Sequence, residues 1–194
     1  GLEVSRLILL ALIAAALEAQ PVQLRVYSEF QRVDPFGKVL AQDRAARPRE
    51  ILSPAVPRNT HTAFHVAVSA PANESYFLVV QANPDNVLQW KIYEERFIQQ
   101  CDSWIPDGLE EAREPYFGVM PDPSAKIPGQ TTRVYLVDVW VPREARVGLV
   151  RLEVLAKVAF WRIWPMEIRI RPGTVPDLKN AAAPGSLPAP ADPA

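Results

Sequence analysis

The chain is 194 residues long, with 21 basic and 22 acidic side chains and a net charge of −1, which suits one domain with a real core. A near-neutral chain without a Lys/Arg cluster has no long-range attraction for polyanions, so nucleic acid is not an expected partner. A single cysteine closes no internal disulfide, and 20 prolines against 8 glycines interrupt the chain too often for long helices.

Residues 1–19 carry Arg6, an apolar run from Leu7 to Leu17 and a small-residue exit, Ala14-Ala15-Ala16-Leu17-Glu18-Ala19. A charged start, a short apolar core and a small final residue predict a signal peptide cleaved after Ala19; an uncleaved anchor is the other reading. Cleavage leaves 20 basic and 20 acidic residues and no membrane span, and places the protein in the periplasm or outside the cell. The lone Cys101 lies far from the apolar run, so lipid attachment at its end is excluded.

Residues 20–58 read as an N-terminal strand, Leu24 to Gln31, a turn at Asp34-Pro35-Phe36-Gly37, and a charged connection over 41–58. From Thr60 the period is two. Phe64, Val66 and Val68 share one face, as do Tyr76, Leu78 and Val80, and Leu88, Trp90 and Ile92 oppose Gln89, Lys91 and Tyr93. Turns are predicted at Ala70-Pro71-Ala72-Asn73 and Asn83-Pro84-Asp85-Asn86. Residues 99–130, with Asp102, Asp107, Glu110, Glu111, Glu114 and Asp122, read as a long connection with one helical turn over 108–113. Cys101 in it reads as a small buried apolar residue or as an exposed thiol.

Three more strands follow, Val134 to Val141, Val147 to Leu155 and Ile163 to Ile170. In the first, Val134, Leu136 and Trp140 share a face with Asp138, while Tyr135, Val137, Val139 and Val141 share the other. Strands apolar on both faces are covered on both sides, so Trp140 is expected to anchor the core and Asp138 to need a polar partner. The prediction is an all-β, immunoglobulin-like antiparallel β-sandwich of about seven strands over residues 59–171. Residues 172–194 hold six prolines and little apolar surface, which predicts a disordered tail.

The run Ile127-Pro128-Gly129-Gln130 through Trp140-Val141-Pro142 to Gly148 resembles the β-sandwich accessory domains of secreted bacterial glycoside hydrolases. The resemblance extends over residues 55–171, with Pro57 to Val68 similar to the strand that opens those domains. It implies a fold and no catalysis. The whole chain also resembles small uncharacterised exported bacterial proteins.

His61 and His65 fall on one strand, where four residues span ~13 Å, too far to share a zinc whose bonds are about 2.0–2.1 Å. Each is expected beside a polar neighbour. No nucleophile elbow and no phosphate-binding glycine loop appear, and the acids of 99–130 lack EF-hand spacing, so no cofactor, metal or enzymatic activity is expected. Trp161 and Trp164 sit at odd separation, one for the core and one accessible beside Arg162 as a stacking platform. The candidate contact residues are Trp104, Trp161, Arg162 and Trp164 with Asp107, Glu110 and Glu111. Three readings follow: a non-catalytic module binding an envelope or extracellular protein or itself, a carbohydrate-binding module, and a glycan hydrolase using two carboxylates. A planar row of exposed tryptophans favours sugar; a flat apolar patch with an open edge favours protein.

Overall fold

The computed structural model describes residues 22–44, 51–83, 88–113 and 115–177. Ten strands form: β1 (Gln23–Ser28), β2 (Ala55–Arg58), β3 (Thr60–Ser69), β4 (Ser75–Asn83), β5 (Gln89–Gln100), β6 (Ser103–Glu111), β7 (Tyr116–Val119), β8 (Arg133–Val141), β9 (Gly148–Lys157) and β10 (Trp161–Thr174). They make two sheets, ordered β1-β3-β8-β5-β6 (sheet one) and β2-β10-β9-β4-β7 (sheet two). Every pairing is antiparallel except β2 with β10. The chain is an all-β sandwich.

Period-two alternation aims one face of each sheet at the other. Sheet one contributes Phe64, Val66 and Val68 of β3, Val137, Val139 and Val141 of β8, and Ile92 of β5; sheet two contributes Leu78, Leu152, Val154, Met166, Ile168 and Ile170. Between them the hydroxyls of Tyr76 and Tyr135 meet at 2.5 Å. Burial pushes both phenols up, Tyr135 to about 12. Tyr76 lies across Gly118 of edge strand β7, where a Cβ would come within 2.2 Å of its ring.

The outer face of sheet one is covered over part of its area. Residues 29–44 fold across it, so Val33 packs with Ala67 and Val134 beside Tyr27, Val39 and Phe97. Arg32 and Asp43 clamp this segment at 2.7 Å, and Asp34 accepts the amides of Phe36 and Lys38. The double-sided apolarity of β8 has its explanation there.

Four details differ from the sequence reading. There are ten strands, not about seven, because 51–58 supplies β2 and 99–130 supplies β6 and β7. Six residues are too few to nucleate a helix, and the predicted turn over 108–113 is consumed by β6, which pairs with β5 around a bulge between Arg96 and Phe97. Of the two readings open for Cys101 the structure takes the exposed one, at the tip of that hairpin with φ 52°. Trp140 stands on the outer face in register with His61 and Gln89, half-buried, because the pleat sends Val139 and Val141 inward. β10 also runs through Thr174, and Asn59 Nδ2 donates to Val175 O and Asp177 Oδ1. The predicted signal (1–19), most of the second turn (84–87) and the tail beyond Asp177 lie outside the described residues.

Gly118→Ala is expected to displace Tyr76 and cost ~1–3 kcal/mol of unfolding free energy in urea, as overpacking does. Tyr76→Phe, which removes only the inter-sheet hydroxyl contact, should cost about 1 kcal/mol. Equal stability of wild type and Gly118→Ala would place β7 elsewhere.

Candidate functional site: an uncovered aromatic band on sheet two

The outward positions of sheet two are set by register. Phe117 of β7 faces Phe77 of β4, Phe77 faces Lys157 of β9, and Lys157 faces Trp161 of β10. The next row is Val79, Leu155 and Ile163. Phe77 lies 5.2 Å from Phe117 and 6.0 Å, edge-on, from Trp161, while Lys157 Nζ stands 5.5 Å from the Trp161 ring centre. Phe117 is 64% exposed, Ile163 56%, Trp161 45%, and Phe160 in the turn before β10 reaches 80%. Among the described residues no segment covers this face. A contiguous apolar patch with an open edge at the four-residue β7 is the kind of surface that marks an interaction site.

Cations outnumber carboxylates around the band. Lys157, Arg151 and Arg171 have no carboxylate partner among the described residues. Glu153 on the same face takes the Gln81 amide at 2.6 Å, and Glu167 takes the Ser53 hydroxyl at 3.4 Å.

The structure divides the residues singled out in the sequence. Trp161 is exposed on the outer face at the start of β10, while Arg162 and Trp164 share the opposite face, Arg162 exposed and Trp164 half-buried against the core. Trp104, Asp107, Glu110 and Glu111 lie on β6, the far edge of the other sheet. Trp104 is half-buried; Glu110 accepts from Arg96 at 2.5 and 2.8 Å, and Glu111 from Lys91 at 3.4 Å. The tryptophans of β10 therefore share no surface with β6. Phe77, Phe117, Lys157 and Ile163 were missed, and the signal for the first was Tyr76-Phe77-Leu78-Val79-Val80, apolar at both parities.

The charged groups gathered by β5 serve the fold. Arg133 donates to Glu94 from Nε at 2.7 Å, and Arg96 spans Glu110 and Asp122, the latter at 2.7 Å. These residues line a cavity of about 430 Å³ against residues 122–130. Burial lifts the Glu94 carboxyl above its usual range despite Arg133 and Arg96. At Asp122 burial is outweighed by the Ser124 amide and hydroxyl and by both arginines, so its pKa falls. Divergent carboxylates are the pattern of an acid and a base, but here both are tied to guanidinium groups, which makes the cluster a clamp on the 120–132 loop. Among the described residues no group of three His, Cys, Asp or Glu could hold a metal ion. None of their helices is long and apolar enough to cross a membrane.

No family model and no curated protein matches the chain. Solved structures similar in fold include a family 123 glycoside hydrolase from Clostridium perfringens, at 5% identity and TM-score 0.49, over 80% of this chain and 28% of that one. A PapD-like domain of human CEP192 aligns at 6% identity and TM-score 0.35 over 80% of this chain and 88% of its own. The C-terminal domain of the Streptococcus agalactiae AgI/II polypeptide BspA aligns at 14% identity and TM-score 0.34, over 77% and 50%. The chain thus spans just over a quarter of the hydrolase it is similar to.

Both histidines have the polar neighbours expected of them. His65 Nδ1 meets buried Glu95 at 2.5 Å, and its Nε2–H donates to the Glu29 carbonyl at 3.2 Å, tying the covering segment to β3 and β5. Burial alone would lower the imidazole pKa, but the hydrogen bond and charge of Glu95, the Glu29 carbonyl and Asp43 together raise it. A raised folded value means the stabilisation is complete below the unfolded pKa of about 6.5 and is lost as pH rises through the folded one. The melting-temperature advantage of wild type over His65→Gln/Glu95→Gln should therefore shrink as pH is raised above about 6.5. A difference independent of pH would show that His65 stays neutral.

Proposed function

We propose that this chain is an exported, non-catalytic β-sandwich module that binds another protein through the outer face of sheet two. The observation that carries the reading is the row Phe117, Phe77, Trp161 with Val79, Leu155 and Ile163, of which Phe117, Trp161 and Ile163 are exposed and the others half-buried, without a covering layer among the described residues. One exposed tryptophan among phenylalanines and aliphatic residues is an apolar patch, not a ladder of indoles, and favours protein over glycan at this face. Aromatic anchors at the centre of such a patch concentrate binding energy. The unpaired Lys157, Arg151 and Arg171 favour a partner with an apolar centre and acidic groups at its rim. Export is supported by the signal-like residues 1–19, and the accessory-domain resemblance of 55–171 suits a module without turnover.

A photo-crosslinking residue at Phe117 in the producing cell tests this, with the same residue at exposed Arg25 of β1 as control. One discrete protein adduct is expected from position 117, lost with Trp161→Ala and weakened by salt. Trp161→Ala should melt within a few degrees of wild type, since the side chain is 45% exposed. Adducts equal at both positions, or an adduct of twice the chain mass, would overturn the assignment. Export is read from the intact mass of envelope material, where cleavage leaves Gln20 as the first residue.

A further inference from the structure

The part of sheet one's outer face left open by the 29–44 segment carries a second, separate pocket. It holds about 360 Å³ and is lined by His61, Gln89, Trp90, Lys91, Asp138 and Trp140. Two cross-strand rows build it: His61–Trp140–Gln89, and beside it Ala63–Asp138–Lys91. The His61 and Trp140 rings pack against each other, centroids 4.7 Å apart and tilted by 48°. His61 Nδ1 sits 3.0 Å from both carboxylate oxygens of Asp138. A carboxylate only accepts, so Nδ1 carries the hydrogen and the imidazole is held in one orientation.

Much of the hydrogen-bonding capacity is unused. Asp138 offers about four lone-pair sites to one donor, and its side chain is 29% exposed. The Gln89 amide and the indole N–H of Trp140 have no partner among the described residues. Lys91 makes only a 3.4 Å contact to Glu111. The lining holds one carboxylate and one ammonium, whose charges offset each other.

Aromatic walls, a rim of uncommitted donors and acceptors, and no net charge fit a neutral ligand that is apolar on one face and hydroxylated at its edge. A pyranose ring has that form: its axial C–H bonds lie against an indole and adjacent hydroxyls bridge a carboxylate. The volume is in the range of small-molecule pockets. We infer that this pocket binds a single neutral hexopyranose unit, stacked on Trp140, with two hydroxyls donating to Asp138 and others meeting Gln89 and Lys91. The site is independent of the protein-binding face on sheet two.

The test is a titration of the full chain with the methyl pyranosides of glucose, galactose, mannose and N-acetylglucosamine, followed by NMR of the His61 ring and the Trp140 indole N–H. At least one glycoside should give saturable shifts at both positions. Asp138→Asn and Trp140→Leu, which keeps apolar bulk without the indole, should each weaken binding at least tenfold. Trp161→Ala should leave it unchanged, which separates failure here from failure of the protein-binding face. No saturable shift with any of the four, shifts that survive in Trp140→Leu, or a response to free amino acids and not to glycosides would overturn the proposal.

Discussion

The contact between the two inward faces fixes where every other group in this molecule can stand. Phe64, Val66 and Val68 on one side and Leu78, Leu152, Met166 and Ile168 on the other are fully or almost fully buried. Each contributes ~1.5–3 kcal/mol by leaving water. In a pleated strand that contact decides parity for the whole strand, because a one-residue slip would turn the buried set outward. Once Leu78 and Val154 face inward, Phe77 and Leu155 have no choice but to face out. The aromatic band is therefore a consequence of core register, held by the same pairing that builds the sandwich.

The two sheets then meet different fates. Sheet one is covered across one part of its outer face, and the cover is fastened by polar groups: His65 between Glu95 and the Glu29 carbonyl, and Arg32 against Asp43. Removing His65 would leave Glu95 buried and unpaired, which costs more than the pair contributes. The Arg96 and Arg133 cluster does the same for the 120–132 loop, with Gln130 accepting the Asp122 amide at 2.8 Å and donating to Thr132 O at 3.1 Å. These devices absorb most of the buried charge in β5 and β8, which is why carboxylates that looked available for chemistry are occupied by structural work.

Legibility in the sequence followed this division. The parity of β8 was readable in full, because Tyr135, Val137, Val139 and Val141 oppose Val134, Leu136, Asp138 and Trp140 without exception. Trp140 was misplaced because size was allowed to outweigh parity: Asp138 shares its face, and a face with a carboxylate and a histidine opposite is not the centre of a core. β6 was not readable, since Pro106, Asp107, Glu110 and Glu111 are weak strand formers and only the edge position makes them tolerable. Trp161 was found from its spacing to Trp164. Its neighbours Phe77 and Phe117 were not, because the row that unites them with Trp161 runs across four strands, β7, β4, β9 and β10.

An uncovered band of this kind carries a hazard, and the way the fold limits it bears on what it binds. Exposed apolar residues on a sheet with an open edge invite unspecific pairing. The edge strand β7 is four residues long, too short to template a long ladder, while β2 on the opposite edge carries Pro57. Lys157 lies over Trp161 within the row, so an apolar partner without acidic groups must bury an ammonium to reach the indole. That penalty falls on indiscriminate hydrophobic contacts and is relieved when the partner supplies a carboxylate. Under the proposed function, specificity at this face would come from a repulsive element set among attractive ones, which lets an exposed aromatic row discriminate between partners without a deep pocket.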